Sequence, residues 1–369
     1  MRTPIACLTV AATTLLCACG AATTPSGQTQ TPTQTQNLPG LHVRGNTLVD
    51  GDRPLRLLGV NRSGAEYSCV QGHGIFDGPV DAGSIAAIAS WHADVVRVPL
   101  NEDCWLGING VPANFSGNSY RGAIQAYVAR LHQAGFAVIL DLHWTAPGSV
   151  LATQQLPMPD QDHAPAFWRS VATTFSSDHE LVFDLFNEPF PSTANTASAD
   201  PWTCWRDGCT MQPGQGVSNS WPAAGMQQLV DAVRSTGATQ PLMAGGIQWS
   251  DDLSGWLAHR PADPLGQLAA SFHLYSFNAC ATSQCWTSTV QPVASQVPVV
   301  TGELGENDCA GGFIDGYMPW ADRNGISYLG WTWDTWDCRS GPALITDYSG
   351  TPTAFGAALR AHLQSVPAR

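Results

Sequence analysis

The amino-acid sequence predicts an α/β fold, a TIM (β/α)8 barrel preceded by a short N-terminal β-hairpin, and two observations carry this prediction. From Leu55 onward, short apolar segments typical of buried parallel strands alternate with helical segments eight times. Eight such units in about 330 residues are typical of a single closed barrel. A doubly wound open sheet is the alternative, but the sequence lacks the glycine-rich fingerprint that would follow its first strand.

The predicted elements can be placed in chain order. Residues 41–51 hold Gly45 and Asn46 between two apolar segments, which predicts a hairpin that closes the floor of the barrel. The predicted barrel strands are residues 55–60, 94–99, 136–142, 181–187, 241–245, 268–275, 297–303 and 327–333. The predicted helices between them include residues 120–134, 164–175, 221–234 and 354–363.

The first 39 residues indicate export. In residues 1–19, Arg2 precedes an apolar stretch too short to span a bilayer, which predicts a signal peptide. The segment Leu16-Cys17-Ala18-Cys19-Gly20 resembles a bacterial lipobox, which favours lipidation of Cys19 over ordinary cleavage after Gly20. Residues 20–39, rich in Thr, Gln and Pro, predict an extended linker. The catalytic barrel is therefore predicted over residues 40–369. The protein is expected to be either a cell-surface lipoprotein, whose only membrane contact is its lipid anchor, or a secreted protein.

Composition excludes some functions. The net charge of −13 disfavours binding to nucleic acid, because few cations would neutralise phosphates. All 16 residues counted as Lys or Arg are Arg, which excludes a Schiff-base or P-loop lysine. The 14 Trp residues favour a carbohydrate-binding groove, since flat indole rings can stack on sugar rings.

Eight cysteines follow the signal peptide. An even number in an exported chain indicates disulfides, and a metal site is disfavoured because no CxxC pair is present. Sequence alone allows about 105 pairings. All eight are predicted to follow barrel strands on one face, where local pairs and links between neighbouring loops would stiffen a cleft. The candidate pairs are Cys69–Cys104, Cys204–Cys209, Cys280–Cys285 and Cys309–Cys338.

Two glutamates stand at the ends of apolar strands. Glu188 follows Phe186-Asn187 and Glu303 follows Thr301-Gly302. Cleavage of a glycosidic bond needs such a pair, one carboxyl group as proton donor and the other ionised. The face at the strand ends is where barrel enzymes carry their active sites. The polar and aromatic residues predicted at or just past these ends are Arg97, His143, Asn187, Glu188, His273, Tyr275, Glu303 and Trp331. Four further acids, Glu102, Asp103, Glu306 and Asp308, are expected to be solvated loop charges.

Six segments in order resemble glycoside hydrolase family 5, the cellulase family of retaining barrel glycosidases. They cover nearly the whole mature chain and are Val96-Arg97-Val98-Pro99, Leu140-Asp141-Leu142-His143-Trp144, Phe186-Asn187-Glu188-Pro189, His273-Leu274-Tyr275, Thr301-Gly302-Glu303 and Gly330-Trp331-Thr332-Trp333. The resemblance implies that Glu188 is the general acid/base and Glu303 the nucleophile. A retaining mechanism implies carboxyl groups about 5–5.5 Å apart.

The same resemblance implies roles for the other polar residues. Arg97 and Tyr275 would stabilise the nucleophile's carboxylate. Asn187 would bind the 2-hydroxyl of the sugar, a contact that strengthens in the transition state. His143 and His273 would bind sugar hydroxyls or orient the carboxylates.

Several tryptophans are candidates for sugar contacts. Trp331 is similar to the family's platform beneath the cleaved sugar, although Trp333, two residues on, is expected to face the same side of its strand. Four more tryptophans are candidates for further subsites, with packing in the core or in loops as the alternative for each: Trp105, Trp144, Trp249 and Trp286.

The resemblance therefore implies a monomeric, retaining glycoside hydrolase of β-linked polysaccharide or oligosaccharide. An endo-β-1,4-glucanase is favoured over a β-mannanase, a β-1,3-glucanase, a glycolipid glycosidase or a transglycosylase. No cofactor or metal is implied, because two carboxylates suffice for the reaction. A non-catalytic lipoprotein that binds polysaccharide is the alternative from another class, and the presence of both glutamates disfavours it.

Overall fold

Eight parallel strands close into a barrel. A computed structural model describes residues 38, 40–338 and 341–366. In chain order the strands are β1 (Leu41–Arg44), β2 (Thr47–Asp50), β3 (Arg53–Leu55), β4 (Leu58–Asn61), β5 (Val95–Asn101), β6 (Ala137–Trp144), β7 (Leu181–Asp184), β8 (Cys209–Met211), β9 (Trp221–Ala223), β10 (Leu242–Gly245), β11 (Leu268–Tyr275), β12 (Val299–Gly305), β13 (Ser327–Gly330), β14 (Ile345–Asp347) and β15 (Thr351–Pro352). The barrel order is β4-β5-β6-β7-β10-β11-β12-β13, which confirms the predicted fold over the open sheet.

Helices connect the barrel strands and cover their outer surface. They are α1 (Ala82–Ala89), α2 (Glu102–Leu106), α3 (Asn118–Gln133), α4 (Ala164–Thr174), α5 (Pro201–Asp207), α6 (Met226–Arg234), α7 (Trp256–His259), α8 (Ser283–Cys285), α9 (Gln291–Ala294), α10 (Gly312–Arg323) and α11 (Ala354–Ser365). A π-helical turn, Trp286–Val290, lies between α8 and α9. Within the described part of the chain, none of these helices combines the length and the apolar character needed to cross a bilayer.

A small antiparallel sheet closes the floor of the barrel, as the sequence predicts. The hairpin β1–β2 gains a third strand, β3, which takes Leu55 from the predicted first barrel strand. Leu41, Val43 and Leu48 lie in one apolar cluster with inward-facing barrel residues such as Val300. Within the described residues this cluster fills the lower barrel, which leaves the opposite end, where the strands have their carboxyl ends, for a site.

The predicted helix over residues 221–234 is wrong in its first part. Trp221–Ala223 instead forms β9, which pairs with β8, and α6 begins at Met226. Gly225 lies between them so close to the preceding segment that an added Cβ would stand 2.3 Å from the carbonyl oxygen of Arg206. The apolar pattern of residues 221–234 thus belongs to both β9 and α6, and the close backbone contact at Gly225 lies between them.

Four disulfides lie in the segments that follow barrel strands, on the face opposite the floor. The structure joins the eight cysteines in the four candidate pairs, with Cα–Cα distances of 5.0–6.2 Å. Such crosslinks are typical of proteins exported to oxidising surroundings. The signal peptide with Cys19, and residues 20–37 and 39 of the predicted linker, lie outside the described residues.

We expect Leu48→Ala to lower the free energy of unfolding by about 2–5 kcal/mol, because it opens a cavity between the floor sheet and the barrel. Chemical denaturation monitored by tryptophan fluorescence measures this loss. The control is Arg44→Ala on the same hairpin, whose exposed side chain pairs with exposed Asp52, so the expected change is within about 0.5 kcal/mol. Equal effects of both substitutions would contradict a packed floor.

Candidate active site

The two glutamates meet at the open end of the barrel. Glu188 follows β7 and Glu303 lies within β12, so the fourth and seventh barrel strands bring them together. A carboxylate oxygen of Glu188 lies within 4.8 Å of one of Glu303. This separation is close to the spacing of about 5–5.5 Å between carboxyl groups in retaining glycosidases and shorter than the roughly 6.5–9.5 Å of inverting ones.

Glu303 is a buried carboxylate bound by two strong donors. Arg97 donates from Nη1 to Oε1 at 3.0 Å, and the hydroxyl of Tyr275 donates to Oε2 at 2.5 Å. Burial, and next the charge of Glu303, raise the pKa of Tyr275 well above its usual range, so its hydroxyl remains a donor. Hydrogen bonds of this kind bind the anionic form of a carboxyl group.

Arg97 lies in the interior of the barrel, in the middle of β5, and not at the strand end as expected. The strand continues to Asn101, two residues beyond its predicted end, so Arg97 is its third residue of seven. Besides Glu303, its guanidinium contacts four other side chains that point into the barrel. These partners are Asn61, Asp141, Asp184 and Asn187, all at 2.8–3.1 Å.

Asp141 and Asp184 belong to the site although they were not predicted for it. Both are fully buried and bind Arg97. Burial raises the pKa of Asp141 to about 7 and that of Asp184 well above its usual range, although Arg97 opposes both shifts. One guanidinium therefore faces three carboxyl groups, and the pKa values of the two aspartates among them are raised. The available signal was an aspartate inside an otherwise apolar strand.

Two neutral histidines flank the carboxyl pair. Nδ1 of His143 lies 2.6 Å from Oδ2 of Asp141, and Nδ1 of His273 lies 3.0 Å from Oε1 of Glu188. Burial lowers the pKa of His143 to about 3 and, with help from Arg97, that of His273 well below its usual range. Both rings are therefore uncharged near neutral pH and act as hydrogen-bonding groups.

Glu188 occupies a different environment from Glu303. Burial, and next the charge of Glu303, raise its pKa well above the usual range. Its side chain is nevertheless 19% exposed, so it faces the cleft. A carboxyl group that stays protonated and reaches the cleft is suited to donate a proton.

A loop residue fixes the segment that carries Glu188. Gln155 accepts a hydrogen bond from Nδ2 of Asn187 at 2.9 Å and donates to the carbonyl oxygen of Glu188 at 3.1 Å. Asn187 also accepts from Arg97, so both ends of its amide are bound. Gln155 was not singled out from the sequence, because its loop, residues 145–163, carries no motif.

A group of aromatic side chains lies beside His143. Trp331 stacks on His143 with ring centroids 5.4 Å apart, and Trp336 lies 6.3 Å from Trp331. Tyr67 contacts both Trp336 and Trp144, at 6.2 and 6.3 Å. Trp333 is instead fully buried. The structure therefore separates the two candidates, because Trp333 packs on Trp91 in the core whereas Trp331, 9% exposed, contacts His143 of the site.

A second aromatic surface, formed by Phe190 and Trp249, lies next to the segment that carries Glu188. Trp249 is 47% exposed and stacks on Phe190 with centroids 4.7 Å apart. Its backbone N–H donates to the carbonyl oxygen of Pro189, which ties this turn to the catalytic segment. By contrast, Trp105 and Trp286 are buried among core aromatics, so they are not subsite residues.

The expectation of solvated loop acids is wrong for three of the four residues. Glu102 and Asp103 are fully buried in α2, where Asp103 accepts the N–H of Ala152. Glu306 is also buried and accepts the N–H of Ile314, near the start of α10. Only Asp308 is exposed. These carboxylates are buried because they bind backbone N–H groups of neighbouring segments, which sequence position does not reveal.

The chain belongs to glycosyl hydrolase family 5. The family model described as "Cellulase (glycosyl hydrolase family 5)" matches residues 61–337, about three quarters of the sequence. The matched region begins in β4 and contains all of the residues that form the carboxyl site.

Characterised relatives share about a quarter of the residues. A mannan endo-1,4-beta-mannosidase of Streptomyces lividans is 25% identical over 80% of this chain, and a manganese dependent endoglucanase of Phanerodontia chrysosporium is 26% identical over 66%. An endoglucanase of Evansella cellulosilytica is 24% identical over 59% of the chain. These matches span only 66%, 59% and 24% of the relatives' own lengths.

Solved structures show the same barrel fold. A β-glucanase from Saccharophagus degradans in complex with cellotetraose is 20% identical with a TM-score of 0.66, covering 89% of this chain and 94% of that one. The catalytic domain of a mannanase from Streptomyces sp. SirexAA-E is 20% identical with a TM-score of 0.63, covering 92% and 96%.

We expect the pKa of Glu188 to fall in Glu303→Gln, because the neighbouring negative charge that contributes to its elevation is removed. Carbon-13 NMR titration of labelled glutamate carboxyl groups measures the change directly. In Asp308→Asn, an exposed acid on the loop after Glu303, the same resonance should titrate as in the parent. An unchanged pKa in Glu303→Gln would mean that the two carboxyl groups do not interact.

Proposed function

We propose that the protein is a retaining glycoside hydrolase of β-linked polysaccharide, with Glu188 as general acid/base and Glu303 as nucleophile. The observation that carries this proposal is the pair itself. Two carboxyl groups lie within 4.8 Å, one bound by Arg97 and Tyr275, the other half-buried with a raised pKa. Two carboxyl groups in different environments at this spacing are what double displacement requires, since one must donate a proton and the other must act as nucleophile.

In the first step an oxygen of Glu303 attacks the anomeric carbon. The bond from that carbon to the glycosidic oxygen breaks, and Glu188 gives its proton to the departing oxygen. As the charge of Glu303 passes into the new ester bond, the pKa of Glu188 falls, because the repulsive neighbour has gone. Glu188 is thus left as a carboxylate.

In the second step that carboxylate takes a proton from water. The water oxygen attacks the anomeric carbon, the ester bond to Glu303 breaks, and the product keeps its original configuration. Asn187, held by Arg97 and Gln155, is placed to bind the 2-hydroxyl of the sugar. Trp331 is proposed as the platform beneath the cleaved sugar, and an acceptor hydroxyl in place of water would give transglycosylation.

The favoured substrate is β-1,4-glucan, cleaved in an endo fashion. The two endoglucanases among the relatives support this choice, as do two separate aromatic groups, one that includes Trp331 and Trp336 and one that includes Phe190 and Trp249, which suit a long chain. β-Mannan is the second candidate, because the Streptomyces lividans relative, which matches the largest share of this chain among those described, is named for that substrate.

The protein is further proposed to act outside the cytoplasm as a monomer. The four disulfides support export, since such bonds persist in oxidising compartments. Lipidation of Cys19 would anchor it at the cell surface through the linker, and cleavage after Gly20 would release it.

We expect Glu303→Gln to lose at least about 1,000-fold in kcat while still binding oligosaccharide, because the nucleophile is lost but the cleft remains. Steady-state kinetics and calorimetric binding measure the two effects. Glu306→Gln removes a buried carboxylate three residues away and should stay within about threefold of the parent. Turnover by Glu303→Gln at the parental rate would contradict the mechanism, and binding without turnover by the parent itself would indicate a non-catalytic binding protein.

We expect Glu188→Ala to regain activity with azide on a substrate whose leaving group needs no protonation. Azide would attack the glycosyl-enzyme in place of the activated water and yield the β-glycosyl azide. Proton NMR identifies the anomer. An α-configured azide would show inversion and would overturn the assignment of Glu303 as nucleophile.

Hydrolysis of carboxymethylcellulose, β-mannan and β-1,3-glucan distinguishes the substrates. We expect the highest kcat/KM on the β-1,4-glucan, with a fall in viscosity that outpaces the release of reducing ends, as endo cleavage requires. A higher kcat/KM on β-mannan would replace the favoured substrate by the second candidate. Product analysis at high acceptor concentration measures the share of transglycosylation.

A further inference from the structure

A second group of acidic and histidine side chains lies outside the carboxyl pair. Glu102 at the start of α2, Asp160, and His163 before α4 each offer a ligand atom within 4.8 Å of the others. They belong to the segments that follow β5 and β6, on the same face of the barrel as the active site. The proposed catalytic steps use none of the three.

Nδ1 of His163 is too far from both carboxyl groups for a hydrogen bond, and it lies 3.4 Å from the carbonyl oxygen of Ala146. Nδ1 of His163 lies 3.8 Å from Oε1 of Glu102 and 3.6 Å from Oδ1 of Asp160. Hydrogen bonds between such atoms span about 2.7–3.2 Å. Two ligands that each lie about 2.1 Å from one metal ion are separated by about 3.0–3.5 Å at octahedral to tetrahedral angles. A small inward movement would therefore place all three residues around a cation.

Two buried oxygens in this group receive no hydrogen bond from an N–H or hydroxyl group of the described residues. They are Oε2 of Glu102 and Oδ2 of Asp160, two fully buried residues whose carboxyl groups lie against each other. Besides burial, Asp160 raises the pKa of Glu102 by its charge and by a hydrogen bond between the two carboxyl groups, and the charge of Asp103 adds to the shift. Buried carboxylates without a cation are strongly disfavoured, so the group needs either a bound cation or a shared proton.

We propose that Glu102, Asp160 and His163 bind one divalent transition-metal ion, of the class that accepts imidazole together with carboxylates. Zn²⁺ and Mn²⁺ accept such mixed ligands, whereas Ca²⁺ prefers oxygen ligands alone. The side chain of His163 is 23% exposed, so an ion can enter from solvent. The role is structural and separate from the chemistry of the glutamate pair.

The ion would fasten the loop that supports the catalytic segment. Residues 145–163 carry Gln155, which binds both Asn187 and the backbone of Glu188. Asp160 and His163 lie at one end of this loop, and near its other end Ala146 donates weakly to Glu102 at 3.4 Å. A cation that joins Glu102 to Asp160 and His163 therefore closes the loop onto α2 and stiffens the position of Gln155.

The test uses the full chain after removal of metals with a chelator. Zn²⁺ and, separately, Mn²⁺ are titrated at pH 7 with calorimetry and thermal unfolding as readouts. We expect one ion per chain and a rise in Tm of at least about 2 °C at saturation, with less effect of Ca²⁺. The double variant Glu102→Gln, Asp160→Asn should lose both the binding and the rise. If it does not fold, His163→Gln, with its half-exposed side chain, should weaken binding at least 10-fold.

Controls separate this site from others. Asp308→Asn and Glu303→Gln should keep the full rise in Tm, which shows that neither general negative charge nor the catalytic pair holds the ion. If Glu303→Gln loses the rise in Tm, the ion binds at the catalytic carboxyl groups instead, and the proposal is overturned. If neither ion changes the Tm of the parent protein and Glu102→Gln is as stable as the parent, the metal site is overturned in favour of a shared proton. Because these readouts do not depend on catalysis, they stay valid whatever the outcome for the proposed hydrolase activity.

Discussion

The buried guanidinium of Arg97 is the interaction on which the site depends. It binds Asp141, Asp184 and Glu303, so groups from three parts of the chain converge on one cation inside the barrel. A buried charge without partners would cost several kcal/mol, and Arg97 therefore needs these acceptors as much as they need it. The barrel interior and the position of the proposed nucleophile are stabilised by the same contacts, which makes the active site part of the core.

The different environments of the two glutamates follow from where the barrel places them. Glu303 lies within β12, where Arg97 and Tyr275 reach its carboxylate from inside. Glu188 lies past the end of β7 and beside His273, where burial and the charge of Glu303 raise its pKa although Arg97 opposes the shift. This difference in depth gives the carboxylate of Glu303 two hydrogen-bond donors and leaves Glu188 with a raised pKa.

Sequence reasoning identified the barrel and the glutamate pair because both depend on order along the chain. Parallel strands bring their carboxyl ends together, so Glu188 and Glu303 could be placed without knowing any contact. Asp184 was missed because a continuously apolar strand does not show which side chains face inward. Glu102 was misjudged because its burial depends on a distant loop folding over α2. The start of the predicted helix at Trp221 failed because local hydrophobicity cannot reveal pairing with β8.

The positions of the four disulfides have a consequence for the entropy of substrate binding. Active-site loops at the ends of barrel strands are ordinarily the most mobile part of such a fold, and ordering them on binding reduces affinity. Here all four disulfides of the described residues lie in those segments, including the Cys309–Cys338 bond that joins the chain after β12 to the chain after β13. Much of the ordering of these loops is therefore complete once the disulfides have formed, before a sugar binds.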